Sequence, residues 1–205
     1  MCVASEIPAV DEILEITLSV FETFERLGIP CLVGGSLASS LYGIPRATQD
    51  VDIVARLTQR DVAGLVAALG DAFYLDEAAI REAVDRRTSF NLIHLQTVLK
   101  VDVFVADDDE PSINQMQRRQ RLELEEQPGR ALVVASAEDV VAHKLYWYRL
   151  GDEVSDRQWS DVIGVLRVTG GRLDQQYLRR TAVLLGVHDL LRRALDESGI
   201  PDDEG

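Results

Sequence analysis

The chain has 205 residues, 46% apolar and 27% charged, proportions ordinary for a folded soluble protein of one domain or a domain with an appendage. Its 21 basic and 35 acidic side chains leave a net charge of −14, which excludes indiscriminate coating of nucleic acid, because phosphate contacts need lysine and arginine. No run approaches the roughly 18 to 20 apolar residues that cross a bilayer, residues 1–10 lack the order of a secretory signal, and Cys2 and Cys31 are too few for a disulfide framework. A reducing cytoplasm is the expected location.

In chain order, Ile7, Val10, Ile13, Leu14, Leu18, Phe21 and Phe24 recur at helical intervals and predict an amphipathic helix over 6–27, ended by Gly28 and Pro30. Cys31 to Val33 reads as a short buried strand running into Gly34-Gly35. Ser36 is the expected N-cap of a short helix over 37–42, closed by Gly43 and Pro45. A strand over 48–55 follows. Thr58 is the expected cap of a helix whose stripe is Val62, Leu65, Val66 and Leu69. A minor edge strand at 73–75, a helix over 76–85 and a hairpin of strands 89–96 and 98–106 come next. Residues 113–121 are polar and arginine-rich. A second hairpin turns at Pro128-Gly129, with strands at 122–124 and 131–135. From Ser136 onward the pattern is helical: 137–150, 156–168, 174–185 and 188–198. The order predicts an α+β protein, a mixed sheet flanked by helices with a helical C-terminal region. Residues 1–135 are expected to form the core that carries the site, and 136–205 to wall the cleft.

The chemistry concentrates in the core. Strand side chains alternate, so Asp50 and Asp52 share a face while Val51 and Ile53 point inward. In the later apolar strand the same alternation puts Lys100, Asp102 and Phe104 on one face. Three carboxylates gathered in apolar strands repel unless a positive charge sits among them, and oxygen-only ligands favour magnesium, or manganese, over zinc. Gly34, Gly35 and Ser36 end a strand and open a helix, where unpaired N–H groups and a serine hydroxyl suit a phosphate. Arg46 and Thr48, just upstream of the carboxylates, are placed to orient them or to reach a phosphate. His94, His143 and His188 lack metal-ligand spacing and read as packing or surface residues.

The stretches Val33-Gly34-Gly35-Ser36, Arg46-Ala47-Thr48-Gln49-Asp50-Val51-Asp52-Ile53 and Lys100-Val101-Asp102-Val103-Phe104 together resemble the nucleotidyltransferase superfamily of DNA polymerase β type. A later stretch, residues 135–145 with Arg149 and 156–162, resembles the abortive-infection, toxin-type bacterial members. The resemblance runs from about residue 20 to 170. It implies that Asp50, Asp52 and Asp102 hold two magnesium ions, and that Asp102 helps to deprotonate an attacking hydroxyl. It further implies that Gly34, Gly35 and Ser36, with Arg46 and Thr48, hold a nucleoside triphosphate, that Lys144 contacts its phosphates, and that Asp161 occupies the subgroup's later acidic position.

Each residue also has a plainer role. Lys144 can snorkel from a helix flank, Asp161 can pair with Arg157 one turn earlier, and Tyr146, Trp147, Tyr148 and Trp159 read as core. Arg118, Arg119 and Arg121 are the one basic stretch open to an RNA acceptor. The expected activity is transfer of a nucleoside monophosphate from an NTP to an acceptor hydroxyl of a tRNA, a protein or a small molecule, with an antitoxin-like protein as a partner. The alternatives are an inactive nucleotide-binding or regulatory module of the same fold, and a plain scaffold.

Overall fold

The computed structural model describes residues 10–45, 48, 50–124 and 127–201, and Arg46 lies outside the described residues. Among these the chain has an α+β fold, divided into two compact units.

The first unit comprises residues 1–34, 47–108 and 121–134. It contains β1 (Cys31–Val33), β2 (Asp50–Ala55), β3 (Phe73–Tyr74), β4 (Ser89–His94) and β5 (Lys100–Val105), with β6 (Gln120–Glu123) entering it and β7 (Ala131–Val134) closing it. Among the described residues these form one mixed sheet in the order β3-β4-β5-β2-β1-β7-β6. The two expected hairpins are present: β4 runs antiparallel to β5, and β6 lies beside β7. The central pairing is parallel, β2 against β5, and β1 is antiparallel to β2. The inward residues Val51, Ile53, Val101, Val103 and Leu92 are fully buried. Helices α1 (Val10–Arg26) and α4 (Glu77–Arg86) pack on the sheet, and α3 (Val62–Leu69) packs on both helices. Arg130 ties the β6–β7 hairpin to α1 through Glu15 at 2.8 Å and Glu22 at 2.9 Å.

The second unit comprises residues 35–46, 109–120 and 135–205. It holds α2 (Gly35–Tyr42), α5 (Glu110–Arg118), α6 (Ala137–Leu150), α7 (Asp156–Thr169), α8 (Gln175–Leu184) and α9 (His188–Ser198). The expected division into 1–135 and 136–205 is therefore interleaved. The helical tail recruits α2 and α5 from earlier in the chain, because α2 packs on α6 and α7 while α5 packs on α8.

Three local expectations are corrected. Residues 110–118 form α5, which the polar run concealed: Asp109 caps it by accepting from the Ser112 N–H at 2.9 Å, with a proline in its first turn. Ser36 lies inside α2, not ahead of it: the helix runs from Gly35, whose φ of +54° marks the turn into it. At α3 the roles reverse: Asp61 accepts from the Thr58 backbone N–H at 2.8 Å and its hydroxyl at 2.7 Å. No helix of the described residues is long and apolar enough to cross a membrane.

Gly43 lies close against neighbouring backbone in the helical unit. A Cβ there would stand 2.8 Å from the Val165 nitrogen and 3.0 Å from Gly164 carbon, both backbone atoms of α7. Such a clash cannot be relieved by a rotamer change. The Gly43→Ala variant should therefore lose about 1–3 kcal/mol of stability, read from the urea midpoint.

Candidate active site

The register of β2 against β5 builds the site. Asp50 lies opposite Lys100 and Asp52 lies opposite Asp102, so four charged side chains form a square on one face of two adjacent strands. That is the face on which the alternation rule places the three carboxylates. On the far side of β5, Asn91 of β4 stands opposite Asp102. Two further bonds brace the strand that carries the acidic pair. The Thr48 hydroxyl donates to the Asp50 carbonyl at 2.9 Å, and the Gly34 N–H donates to the Asp52 carbonyl at 2.9 Å. The glycine turn thus begins beside Asp52, and α2 starts at the next residue.

A positive group already serves these carboxylates. Lys100 Nζ stands 2.8 Å from Asp102 Oδ2, with the Asp102 side chain 17% exposed. The Lys100 pKa is held above the usual ammonium value, first by this hydrogen bond and further by the charges of Asp102, Asp50 and Asp52. Among the described residues no three His, Cys, Asp or Glu side chains gather closely enough to enclose a metal ion. The donor set fits a hard divalent cation in kind, with oxygen donors only and three carboxylates on one face.

The remaining sequence candidates lie in the helical unit, which holds Gly35 and Ser36 at the start of α2. Lys144 is not a solvated flank residue. Its ammonium is buried, 2.8 Å from Asp161 Oδ2 and 3.3 Å from Gln158 Oε1, with side chains 6% and 7% exposed for the ion pair. Asp161 therefore pairs with Lys144 across α6 and α7, where Arg157 was expected. A phosphate contact by Lys144 competes with Asp161 for the same ammonium.

Trp147 is exposed, against the expected core role, while Tyr148 is buried with its ring 5.3 Å from Trp159. The arginine stretch is engaged within the protein. Arg118 lies over the Tyr177 ring at 3.9 Å, Arg119 donates to the Met116 carbonyl, and Arg121 bonds Glu123 at 3.1 Å.

A buried polar cluster of this unit was missed. The Ser136 hydroxyl donates to Asp139 Oδ2 at 2.7 Å and accepts from the Asp139 N–H at 3.2 Å, while the Tyr177 hydroxyl donates to Asp139 Oδ1 at 2.7 Å. The signal was a Ser-x-x-Asp capping box at the start of α6. Burial pushes the Asp139 carboxyl up, against the lowering effect of both hydroxyls. Tyr42 is pushed up to about 12, chiefly by burial and then by the charges of Glu138 and Asp139. His143 Nε2 is buried without a hydrogen-bond partner among the described residues, and burial pushes its pKa down.

No protein-family model matches the chain, and no curated protein is similar to it in sequence at a significant level. Solved structures do match its fold. ANT(2″)-Ia in complex with adenylyl-2″-tobramycin superposes with a TM-score of 0.54 at 12% identity, covering 85% of this chain and 97% of that one. An antigenic nucleotidyltransferase-like protein from Paracoccidioides brasiliensis gives 0.53 at 18% identity, covering 92% and 94%. The lincomycin-bound lincosamide antibiotic adenylyltransferase LnuA gives 0.51 at 10%, covering 80% and 100%. This chain has the nucleotidyltransferase fold. Within that fold, the strands β2 and β5 carry all three candidate aspartates.

Two measurements check the buried groups. Removing one partner of the Lys144–Asp161 pair strands a buried charge, so Lys144→Met should cost about 3–5 kcal/mol, whereas the Lys144→Met/Asp161→Leu double variant should recover most of it in equilibrium unfolding. For Asp139, a carboxyl whose pKa is raised on folding stabilises the fold below its unfolded value of 3.8 and loses that contribution as pH rises through the folded value. Unfolding free energies across that range should therefore move in favour of Asp139→Asn, relative to wild type, as pH increases.

Proposed function

We propose that the protein is a magnesium-dependent nucleotidyltransferase that moves a nucleoside monophosphate from an NTP to an acceptor hydroxyl and releases pyrophosphate. The observation that supports this most is the in-register meeting of Asp52 with Asp102, with Asp50 on the same face and the glycine turn tethered to Asp52. Asp50, Asp52 and Asp102 would hold the metal, with manganese as an acceptable substitute. When bound, divalent ions neutralise the triphosphate and the entering and leaving oxygens of an in-line displacement.

The chain's own residues do the rest. Asp102 is the carboxylate proposed to accept the acceptor hydroxyl's proton. Thr48 and the Gly34 N–H fix the backbone of the acidic strand, so that Asp50 and Asp52 are presented without reorganisation. Gly35 and Ser36 offer backbone N–H groups and a hydroxyl to the β- and γ-phosphates. Arg46, outside the described residues, and Lys144, once released from Asp161, are the cations proposed to add to this.

The acceptor is read from charge. A net charge of −14 favours a cationic small molecule over RNA, and Arg118, Arg119 and Arg121 are already engaged within the protein. An aminoglycoside, the class of the tobramycin adduct in one matching structure, is the first acceptor to try. The toxin-type role, with an antitoxin-like partner, is proposed on the resemblance of residues 135–162.

One observation favours a second reading. The bond between Lys100 and Asp102 suits an inactive nucleotide-binding module that acts through a protein partner. A single assay separates the two. With labelled NTPs, magnesium and a panel of aminoglycosides, tRNA and cell protein, wild type should label an acceptor. Asp52→Asn should lower the rate at least about a hundredfold, and a chelator should abolish transfer. NTP binding without transfer would support the silent module. Equal NTP and Mn2+ binding by wild type and Asp50→Ala, with no acceptor labelled, would sink the metal site altogether.

A further inference from the structure

Three exposed apolar side chains gather at one corner of the sheet, within the first unit. Tyr74 of β3 is 62% exposed, Leu95 55% and Val98 67%. The backbone brings them together. Tyr74 stands opposite Ile93, the Leu95 N–H donates to the Ala72 carbonyl at 2.9 Å, and the Val98 N–H donates to the His94 carbonyl at 2.8 Å. Val98 is also held at a φ of +60°, a left-handed backbone that opposes the steric preference of a β-branched residue. Asparagine or glycine would make this turn between β4 and β5 at lower cost. A valine that is both strained and exposed serves neither the turn nor the core.

β3 stands first in the strand order, so its outer edge is left without a strand partner among the described residues. Ala72 and Tyr74 are exposed along it, and Asp71 and Asp76 are exposed at its two ends. Neither lysine nor proline blunts residues 71–76, the usual protection of a free edge. We propose that this corner is a docking surface for an extended, basic segment of a partner protein. The segment adds a strand along β3 and lays apolar side chains on Tyr74, Leu95 and Val98. In such pairing the main chain gives affinity and alternate side chains give specificity. Because β3 has only two residues, the apolar contacts must supply most of the affinity.

Charge decides the occupant. A second copy paired through the same edge would set Asp71 of one molecule near Asp76 of the other, with −14 on each chain. A strand that carries lysine or arginine meets the same two carboxylates favourably. The surface needs neither nucleotide nor metal, so it stands or falls apart from the proposed activity.

The test is a selection of random peptides displayed on phage against the full chain, followed by fluorescence anisotropy with the synthetic consensus peptide. Selected peptides should alternate apolar and polar residues and carry lysine or arginine. Tyr74→Thr should weaken binding about tenfold, the ordinary effect of losing a central aromatic contact, and Leu95→Gln should weaken it less. Val98→Asn should weaken binding while raising the urea midpoint, because strain is relieved as the contact is lost. Val183→Gln, at an exposed position on α8, should change nothing. Asp71→Asn should lower the affinity and flatten its salt dependence. N-methylation of alternate peptide amides should abolish binding in one phase and spare it in the other, as strand pairing requires.

Failure to enrich peptides, an acidic consensus, or a peptide indifferent to Tyr74→Thr, Leu95→Gln and Val98→Asn would overturn the proposal. So would dimerisation of the wild-type chain in sedimentation that Tyr74→Thr abolishes, since the occupant would then be a second copy.

Discussion

The parallel register of β2 against β5 is the constraint on which the site depends. It is a backbone pairing of six residues, with Val51, Ile53, Val101 and Val103 fully buried beneath it. Because the core side chains fix this register, the opposite face has no freedom to spread its charges. A one-residue slip would bury the aspartates and expose the valines. The apolar core thereby holds like charges together, and the electrostatic strain must be relieved locally. Lys100 relieves part of it.

The sheet was the most legible part of the chain. Alternation in residues 50–55 and 100–105 placed the carboxylates on a common face, and the glycine stops marked β1 and α2 within a residue or two. Local patterns carry such information because strand periodicity and turn chemistry act over few residues. Lys100 was visible on the aspartate face, but the choice between a lysine and a metal as their counter-charge depends on interatomic distance, which spacing does not encode. Asn91 joins them only through the β4–β5 register.

The helical unit was less legible. Its four C-terminal helices lie close to the ranges read from the sequence, yet its polar interior left no such sign. Lys144 and Asp161 are seventeen residues apart and meet only when α6 packs on α7. The cluster of Asp139, Ser136 and Tyr177 likewise needs α8 to deliver the phenol. Residues 110–118 look like a solvated run because α5 has few apolar side chains. Its burial comes from Pro111, Gln115 and Met116, and its anchoring from Arg118 on Tyr177. Polar contacts of this kind depend on tertiary packing and leave little periodic trace.

The chain changes units five times, after residues 34, 46, 108, 120 and 134. Neither unit is a continuous piece of polypeptide. A fragment starting at residue 136 would leave α6 and α7 without α2, and α8 without α5. A gene break at that point could not hand the helices on as an independent cassette. Diversification of this architecture must instead proceed by changes within an undivided reading frame.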